Sequence, residues 1–326
     1  MQHFTGIEYI KIDIANNWGL DKATWDVRLD WVKENYSQLE NMDTGADEPV
    51  LFRKAVRALR DAENGIPTGY AMSLDCTSSG LMIMSALIGD EIGAKNTNII
   101  STGKREDIYV KVANEMNKSP LVQIDRATIK KPVMTHYYGS KMKPKEIFGE
   151  NTPELAAFYN ILQQELPGPV EVLQDIQSCW QKNVLTHEWK LPDGHIVISK
   201  VVEPVDKKVE IQELDKKSFT HRIYINKPAK YGLSLAANIV HSIDAYIVRE
   251  MIRRSDFELY TIHDSFWTSP NNMNQVRETF LEILIEIAKS DLLEDILGQV
   301  TNDKSLKLTG YKDISNKMKT AEYFLS

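Results

Sequence analysis

Cysteine is scarce. Two cysteines, Cys76 and Cys179, occur in 326 residues and lie far apart. No Cys-x-x-Cys pair and no His-Glu-x-x-His run is present, which argues against a structural zinc site. A disulfide scaffold is equally disfavoured, and the chain reads as cytoplasmic. The start, Met1-Gln2-His3-Phe4, lacks a basic segment followed by an apolar one, so no signal peptide is expected. The apolar run Leu81 to Ile88 is too short to span a bilayer, so no membrane partner is expected. Repeats and low-complexity tracts are missing as well. Basic residues are in the minority, 39 against 46 acidic, for a net charge of -7. That argues against a nonspecific, wholly basic DNA coater, although an acidic shell can surround a local basic cleft.

What is present is enough for a packed core. Apolar residues make up 42% and charged residues 26%. Gly6 to Ile12 alternates like a strand or the start of a packed segment. Asp21 to Leu39 has helical spacing through Trp25, Leu29, Val32 and Tyr36, and Val50 to Ala62 predicts a second helix lined with basic residues. Gly65, Pro67 and Gly69 end it and lead into the strand-like run Tyr70 to Cys76. Leu81 to Leu87 is apolar on nearly every side, as a helix buried in a core would be. Further helices are predicted over Asp107 to Asn117, Arg126 to Gly139, from Pro153 to Glu165, Ser234 to Arg254 and Asn272 to Lys289. Leu185 to Ile225 reads as β, with Pro192-Asp193-Gly194 as a hairpin turn, and carries Lys200, Lys207, Lys208, Lys216, Lys217 and Arg222. A second strand is predicted over 256–263. Strands so far apart imply an α+β fold whose site is assembled across long sequence distances.

Two apolar runs end in an aspartate: one at Asp75, the other at Asp264 in Leu259 to Phe266. Either aspartate alone reads as a turn or a helix cap. Together, with a cationic helix between them, they are the equipment for metal-assisted phosphoryl transfer, in which Mg²⁺ takes a few carboxylates and fills its remaining positions with water and phosphate. Arg126 and Lys130 are four apart, hence on one helix face, and Met134 and Tyr138 continue that spacing. Such a face would line a nucleotide from triphosphate to sugar and base; alone, it reads as a solvated basic face. Pro132 removes a backbone donor, so the helix begins near Ile129 or is kinked there. His263, and His241 at the start of Ser242-Ile243-Asp244, are candidate cleft contacts or structural histidines; Tyr109 either faces the cleft or packs.

At these residues the chain resembles the single-subunit RNA polymerases of bacteriophages and mitochondria. Asp75-Cys76-Thr77-Ser78-Ser79-Gly80 is similar to their motif A, Arg126 to Ser140 to motif B, and Ile262-His263-Asp264-Ser265-Phe266 to motif C. Weaker similarity extends over nearly the whole chain. The resemblance implies metal ligation of two Mg²⁺ ions by Asp75 and Asp264, with the Cys76 carbonyl assisting. It implies triphosphate contacts from Arg126, Lys130 and Lys22, and sensing of the ribose 2′-hydroxyl by Tyr138 and His241. Tyr109, Met134, Gly139 and His263 would complete the substrate site. It also implies a right-hand fold: palm over 1–91 and 242–326, with a small antiparallel sheet, and mostly helical fingers over 92–241. The β-hairpin near 190–225 resembles a promoter-reading element. The family's thumb and N-terminal domain are not expected here, so the chain resembles the catalytic chain of a split, heterodimeric phage polymerase. Its partners would be DNA template, nascent RNA, NTPs and a second subunit, in the host cytoplasm during infection. Related DNA polymerases share much of this pattern. They place a glutamate where this chain has Gly80, usually an aromatic where it has Met134, and usually a glutamate where it has Ser265. Those differences favour RNA synthesis. The alternatives are a DNA polymerase or primase with the same palm, and a noncatalytic protein that binds template or a partner.

Overall fold

A computed structural model describes residues 1–119, 123–200, 202–226 and 234–326. Its fold is α+β, rich in helices, with small antiparallel sheets.

The first helix, α1 (Gly6–Ala15), makes this stretch a packed segment and not a strand. Thr5 accepts a hydrogen bond from the Glu8 amide while the Glu8 carboxylate accepts one from the Thr5 amide, a capping box that fixes the helix start. Tyr9, Ile10, Ile12 and Ile14 are all buried, because α1 packs between α2 (Trp25–Asn35) and α3 (Pro49–Glu63). Helix α2 starts later than Asp21: the chain first makes a wide turn over Asn16–Leu20. At Gly19 (φ 115) any side chain would strike the Asp47 carboxylate, 2.5 Å from the missing carbon.

Strand β1 (Met72–Asp75) leads to α4 (Ser79–Ile88), whose residues Leu81 to Ile88 are all buried, as its all-round apolar pattern requires. Five helices follow: α5 (Glu91–Asn96), α6 (Ile108–Met116), α7 (Arg126–Tyr137), α8 (Met142–Phe148) and α9 (Pro153–Glu165). Pro132 lies inside α7, which neither waits for Ile129 nor is interrupted there. Its side of the helix is buried. After α10 (Pro167–Ser178), the predicted β region forms two hairpins. The first is β2 (Thr186–Lys190) with β3 (Ile196–Lys200), turning at Pro192-Asp193-Gly194 as expected. The second is β4 (Val202–Ile211) with β5 (Lys217–Asn226).

Helix α11 (Ser234–Arg254) packs on α4 and leads to β6 (Tyr260–Ile262) and β7 (Ser265–Thr268). Only the end of the strand expected over 256–263 forms, and β7 lies beyond it. Helices α12 (Met273–Lys289), α13 (Leu292–Thr301) and α14 (Ser315–Met318) complete the chain.

The sheet that positions the site has the order β1-β7-β6, all antiparallel. Met72 pairs with Thr268 and Asp75 with Ser265; Ile262 pairs with Ser265 from the other side. Met72, Leu74, Phe266 and Thr268 are buried beneath the sheet. By the strand alternation, Asp75 and Ser265 share the opposite, open face.

Candidate nucleotidyl-transfer site

Register brings the two aspartates together. Asp75 ends β1, and its partner Ser265 is the residue after Asp264. Asp264 is not at the end of a buried strand, as the sequence suggested, but in the two-residue turn between β6 and β7. His263 precedes it at φ 53, a left-handed conformation that a side chain adopts only at a cost. The Cys76 amide donates to the Asp264 carbonyl at 3.2 Å and ties the two segments together. Cys76 also forms a bridge with Leu325, but the bonds of that bridge run from Ser326 to the Asp75 carbonyl and from Thr77 to the Phe324 carbonyl. The Cys76 carbonyl is therefore not used by it.

Burial raises the pKa of Asp264, the Ser79 side chain and the local backbone pull it down, and the charge of Asp75 pushes it up again. Two carboxylates pressed together in this way favour a cation between them. The donor set is of hard oxygens, which suits Mg²⁺. No group of three or more His, Cys, Asp or Glu side chains placed to hold a metal ion occurs among the described residues. Two aspartates and a carbonyl would leave room for phosphate and water.

A cleft of about 260 Å³ opens here, lined by Asp75, Asp264, Gly80, Tyr109, Lys130, Met134 and Tyr138 among others. A second cleft, about 430 Å³, shares Asp75, Cys76, Tyr109 and Lys130 and adds Lys22, Arg105 and Arg126. The expected helix face therefore splits between two connected spaces: Arg126 on the cationic side, Met134 and Tyr138 on the other, Lys130 in both. Tyr109 faces the clefts. Its ring lies 5.6 Å from the Arg126 guanidinium and 5.9 Å from the Lys130 ammonium, and its hydroxyl is 3.0 Å from that of Ser78. Lys22 pairs with Asp21 at the rim.

Tyr138 closes the apolar end. A Cβ on Gly80 would lie 2.7 Å from its hydroxyl, so the phenol occupies space that only glycine leaves. The His241 ring stacks on the Tyr138 ring, centroids 4.7 Å apart and 15° from parallel. His241 is two turns into α11 rather than at the start of its helix. Gly139 is buried at φ 88, turning the chain after α7, and does not line the cleft. His263 is exposed beside Asp264 and also stays outside the lining.

A family model of DNA-dependent RNA polymerase matches residues 3–147 and 160–323. The chain belongs to that family. It is 24% identical to the DNA-directed RNA polymerase of Pseudomonas phage phiKMV over 87% of this chain and 44% of the relative. It is 22% identical to the mitochondrial DNA-directed RNA polymerase 1B of Nicotiana tabacum, over 90% of this chain and 35% of the relative. It is also 22% identical to the mitochondrial enzyme of Schizosaccharomyces pombe, over 98% and 34%. The chain thus spans less than half the length of these curated relatives.

In this member of the polymerase family, three site residues escaped sequence reasoning. Asp107 caps α6 through the Tyr109 and Val110 amides and accepts from Arg126 Nε at 2.7 Å. Its place before an apolar helix was a capping signal; its grip on Arg126 was not visible. Arg105 sits in a loop without periodicity, and burial lowers its pKa. Asp244 follows His241 by one turn of α11, and burial, followed by the charge of Asp264, raises its pKa to about 6. No helix is long and apolar enough to cross a membrane among the described residues.

Proposed function

We propose that this chain is the catalytic part of a DNA-dependent RNA polymerase of the single-subunit type, joining NTPs on a DNA template. The observation that carries the reading is the Asp75–Ser265 pairing, which sets two aspartates from opposite halves of the chain beside one cationic helix face. The palm would comprise residues 1–91 and 242–326, and the fingers 92–241.

Arg126, Lys130 and Lys22, with Arg105, would hold the triphosphate of the incoming nucleotide in the cationic cleft. Tyr138, backed by His241, would lie against the ribose, with Gly80 leaving space for a 2′-hydroxyl. The 3′-hydroxyl of the growing RNA attacks the α-phosphorus, loses its proton, and pyrophosphate leaves. Asp75, Asp264 and the Cys76 carbonyl would hold two Mg²⁺ ions, which supply charge neutralisation at the reacting phosphate and hydroxyl. His263 would lie beside the end of the growing strand.

The β4–β5 hairpin supports contact with duplex DNA. It displays Lys207, Lys208, Lys216 and Lys217 in solvent, where they can meet phosphates. The likeness to a phage enzyme supports work in a phage-infected host cytoplasm.

The test is extension of an RNA primer annealed to a DNA template, with NTPs and with dNTPs. Preferential NTP addition is expected. Equal or better dNTP addition would favour a DNA polymerase, and binding of template without any extension a noncatalytic protein.

A further inference from the structure

The β2–β3 hairpin is fastened along α11 at three levels. Asn238 Nδ2 donates to the Ser199 hydroxyl at 2.7 Å, Trp189 Nε1 to the Ser242 hydroxyl at 3.1 Å, and Arg249 Nε to the Asp193 carboxylate in the hairpin turn. Beside these fastenings lies a preformed cavity of about 480 Å³, which shares no lining residue with either cleft of the candidate site. Acidic residues outnumber basic ones in the chain, 46 to 39, yet the titratable side chains on this wall are all basic: His195, Lys200, His241 and Arg249. Lys200 is exposed and has no ion-pair partner among the described residues.

One wall is the free edge of a sheet. Among the described residues β3 pairs with β2 alone, and both faces of β3 line the cavity, as at a strand edge. The polarity of that edge follows from Gln299 on the far side of the hairpin. Its side-chain oxygen accepts from the Lys190 amide at 2.7 Å, and its Nε2 donates to the Lys190 carbonyl at 3.2 Å. The Lys190 backbone therefore points away from β3, and Lys190 and Ile196 form a non-hydrogen-bonded pair. By the alternation of the ladder, the amides and carbonyls of Ile198 and Lys200 point outward, toward the cavity.

We propose that this groove holds the sugar–phosphate backbone of the growing RNA, near its reacting end but outside the catalytic cleft. The inference rests on the polymerase reading above and adds to it a place for the product strand. Lys200 and Arg249 would meet phosphates, and the outward amides would donate to phosphate oxygens, as sheet edges do in other anion sites. The outward carbonyls need donors. Ribose 2′-hydroxyls supply them and deoxyribose does not, which favours an RNA strand over DNA. His241 gives the continuity: it lies on this wall, and its ring stacks at 4.7 Å on that of Tyr138, which lines the catalytic cleft.

The test measures equilibrium binding of a DNA template carrying RNA primers of increasing length to wild type, Lys200→Gln and Ala245→Glu, with melting temperatures alongside. Ala245 is an exposed α11 residue on the cavity wall, so glutamate there adds a negative charge at little cost to the helix. Wild-type affinity is expected to rise once the primer is long enough to reach the groove. For long primers, Lys200→Gln should weaken binding about threefold and lower the salt slope by about one, and Ala245→Glu should weaken it about tenfold. The shortest primers should bind the variants as they bind wild type. A DNA primer of the same sequence should lose part of the rise; full retention would overturn the assignment to RNA. Equal losses at every primer length, or with template alone, would place the contact on the template strand and overturn it as well. Unchanged affinities with a raised KM for ATP would give the cavity to a free nucleotide, and unchanged affinities and KM would leave it without nucleic acid; either result sinks the proposal. Nucleotide addition by the wild type is scored separately: its absence sinks the polymerase reading, whereas the binding series tests the groove by itself.

Discussion

The hydroxyl of Tyr138 stands 2.7 Å from where a Cβ on Gly80 would be, although the two residues belong to different helices, α4 and the end of α7. The contact couples the segment after Asp75 to the cationic helix. It means that the residue at 80 sets the position of the phenol.

Gly80→Ala therefore separates stability from function. Gly80 lies in the first turn of α4, where alanine favours the helix by roughly 0.5–1 kcal/mol. The new methyl group displaces the end of a movable side chain, so the melting temperature should change little or rise. Nucleotide addition should fall about tenfold as the phenol moves, a loss of roughly 1.4 kcal/mol in transition-state binding. Unchanged kcat/KM would show that the phenol position does not matter.

Tyr138→Phe removes only the hydroxyl and keeps the stack on His241. The ratio of NTP to dNTP incorporation should drop by about tenfold, with dNTP rates nearly constant. Competition between ATP and dATP at one template position measures this. An unaltered ratio would remove Tyr138 from sugar recognition.

Asp107 has two roles that one substitution tests together. Asp107→Ala loses the cap of α6, worth about 1 kcal/mol of stability, and frees Arg126 Nε. The expected result is a modest fall in melting temperature with a several-fold higher KM for NTP. Arg126→Ala should raise KM without the stability loss. If Asp107→Ala lowers stability and leaves KM alone, Arg126 does not depend on it.

Asp13, on the wall of the cationic cleft, gives a pH signature in stability. It is buried, and burial lifts its pKa to about 6 against the hydrogen bond from Tyr70. The folded state then holds the proton more tightly than the unfolded chain, whose carboxyl titrates near 3.8. Its contribution is most favourable below pH 4 and is lost as pH rises through 6. Relative to Asp13→Asn, the unfolding free energy of the wild type should fall by on the order of 2–3 kcal/mol between pH 4 and pH 7. Urea titrations that run parallel at all pH values would contradict it.

Much of the fold is legible in the sequence, for identifiable reasons. Helix α4 shows itself because Leu81 to Ile88 is apolar on all sides, and α11 runs over the residues its spacing marks. Helix α1 misleads because it too is buried on most sides: Tyr9, Ile10, Ile12 and Ile14 leave no polar stripe to reveal a helical period, and Ile10-Lys11-Ile12 imitates a strand. Short helices such as α5 and α14 hold too few residues to display a period. In the site, Asp75 and Asp264 stand out by ending apolar runs, yet the turn that holds Asp264 depends on β7, whose four residues carry little pattern. Arg105 becomes visible only when its loop is packed at the cleft, and Asp244 only when α11 brings it within reach of the charge of Asp264, since nothing local distinguishes them from surface charges.

The most direct test of the central claim is single-nucleotide addition by Asp75→Asn and Asp264→Asn across a Mg²⁺ titration, with binding of the primed template measured in parallel. Both variants should bind template like the wild type, and nucleotide addition should fall by a factor of at least about a thousand at every Mg²⁺ concentration. Substantial addition by either variant would contradict the assignment of the two aspartates as the metal-holding pair.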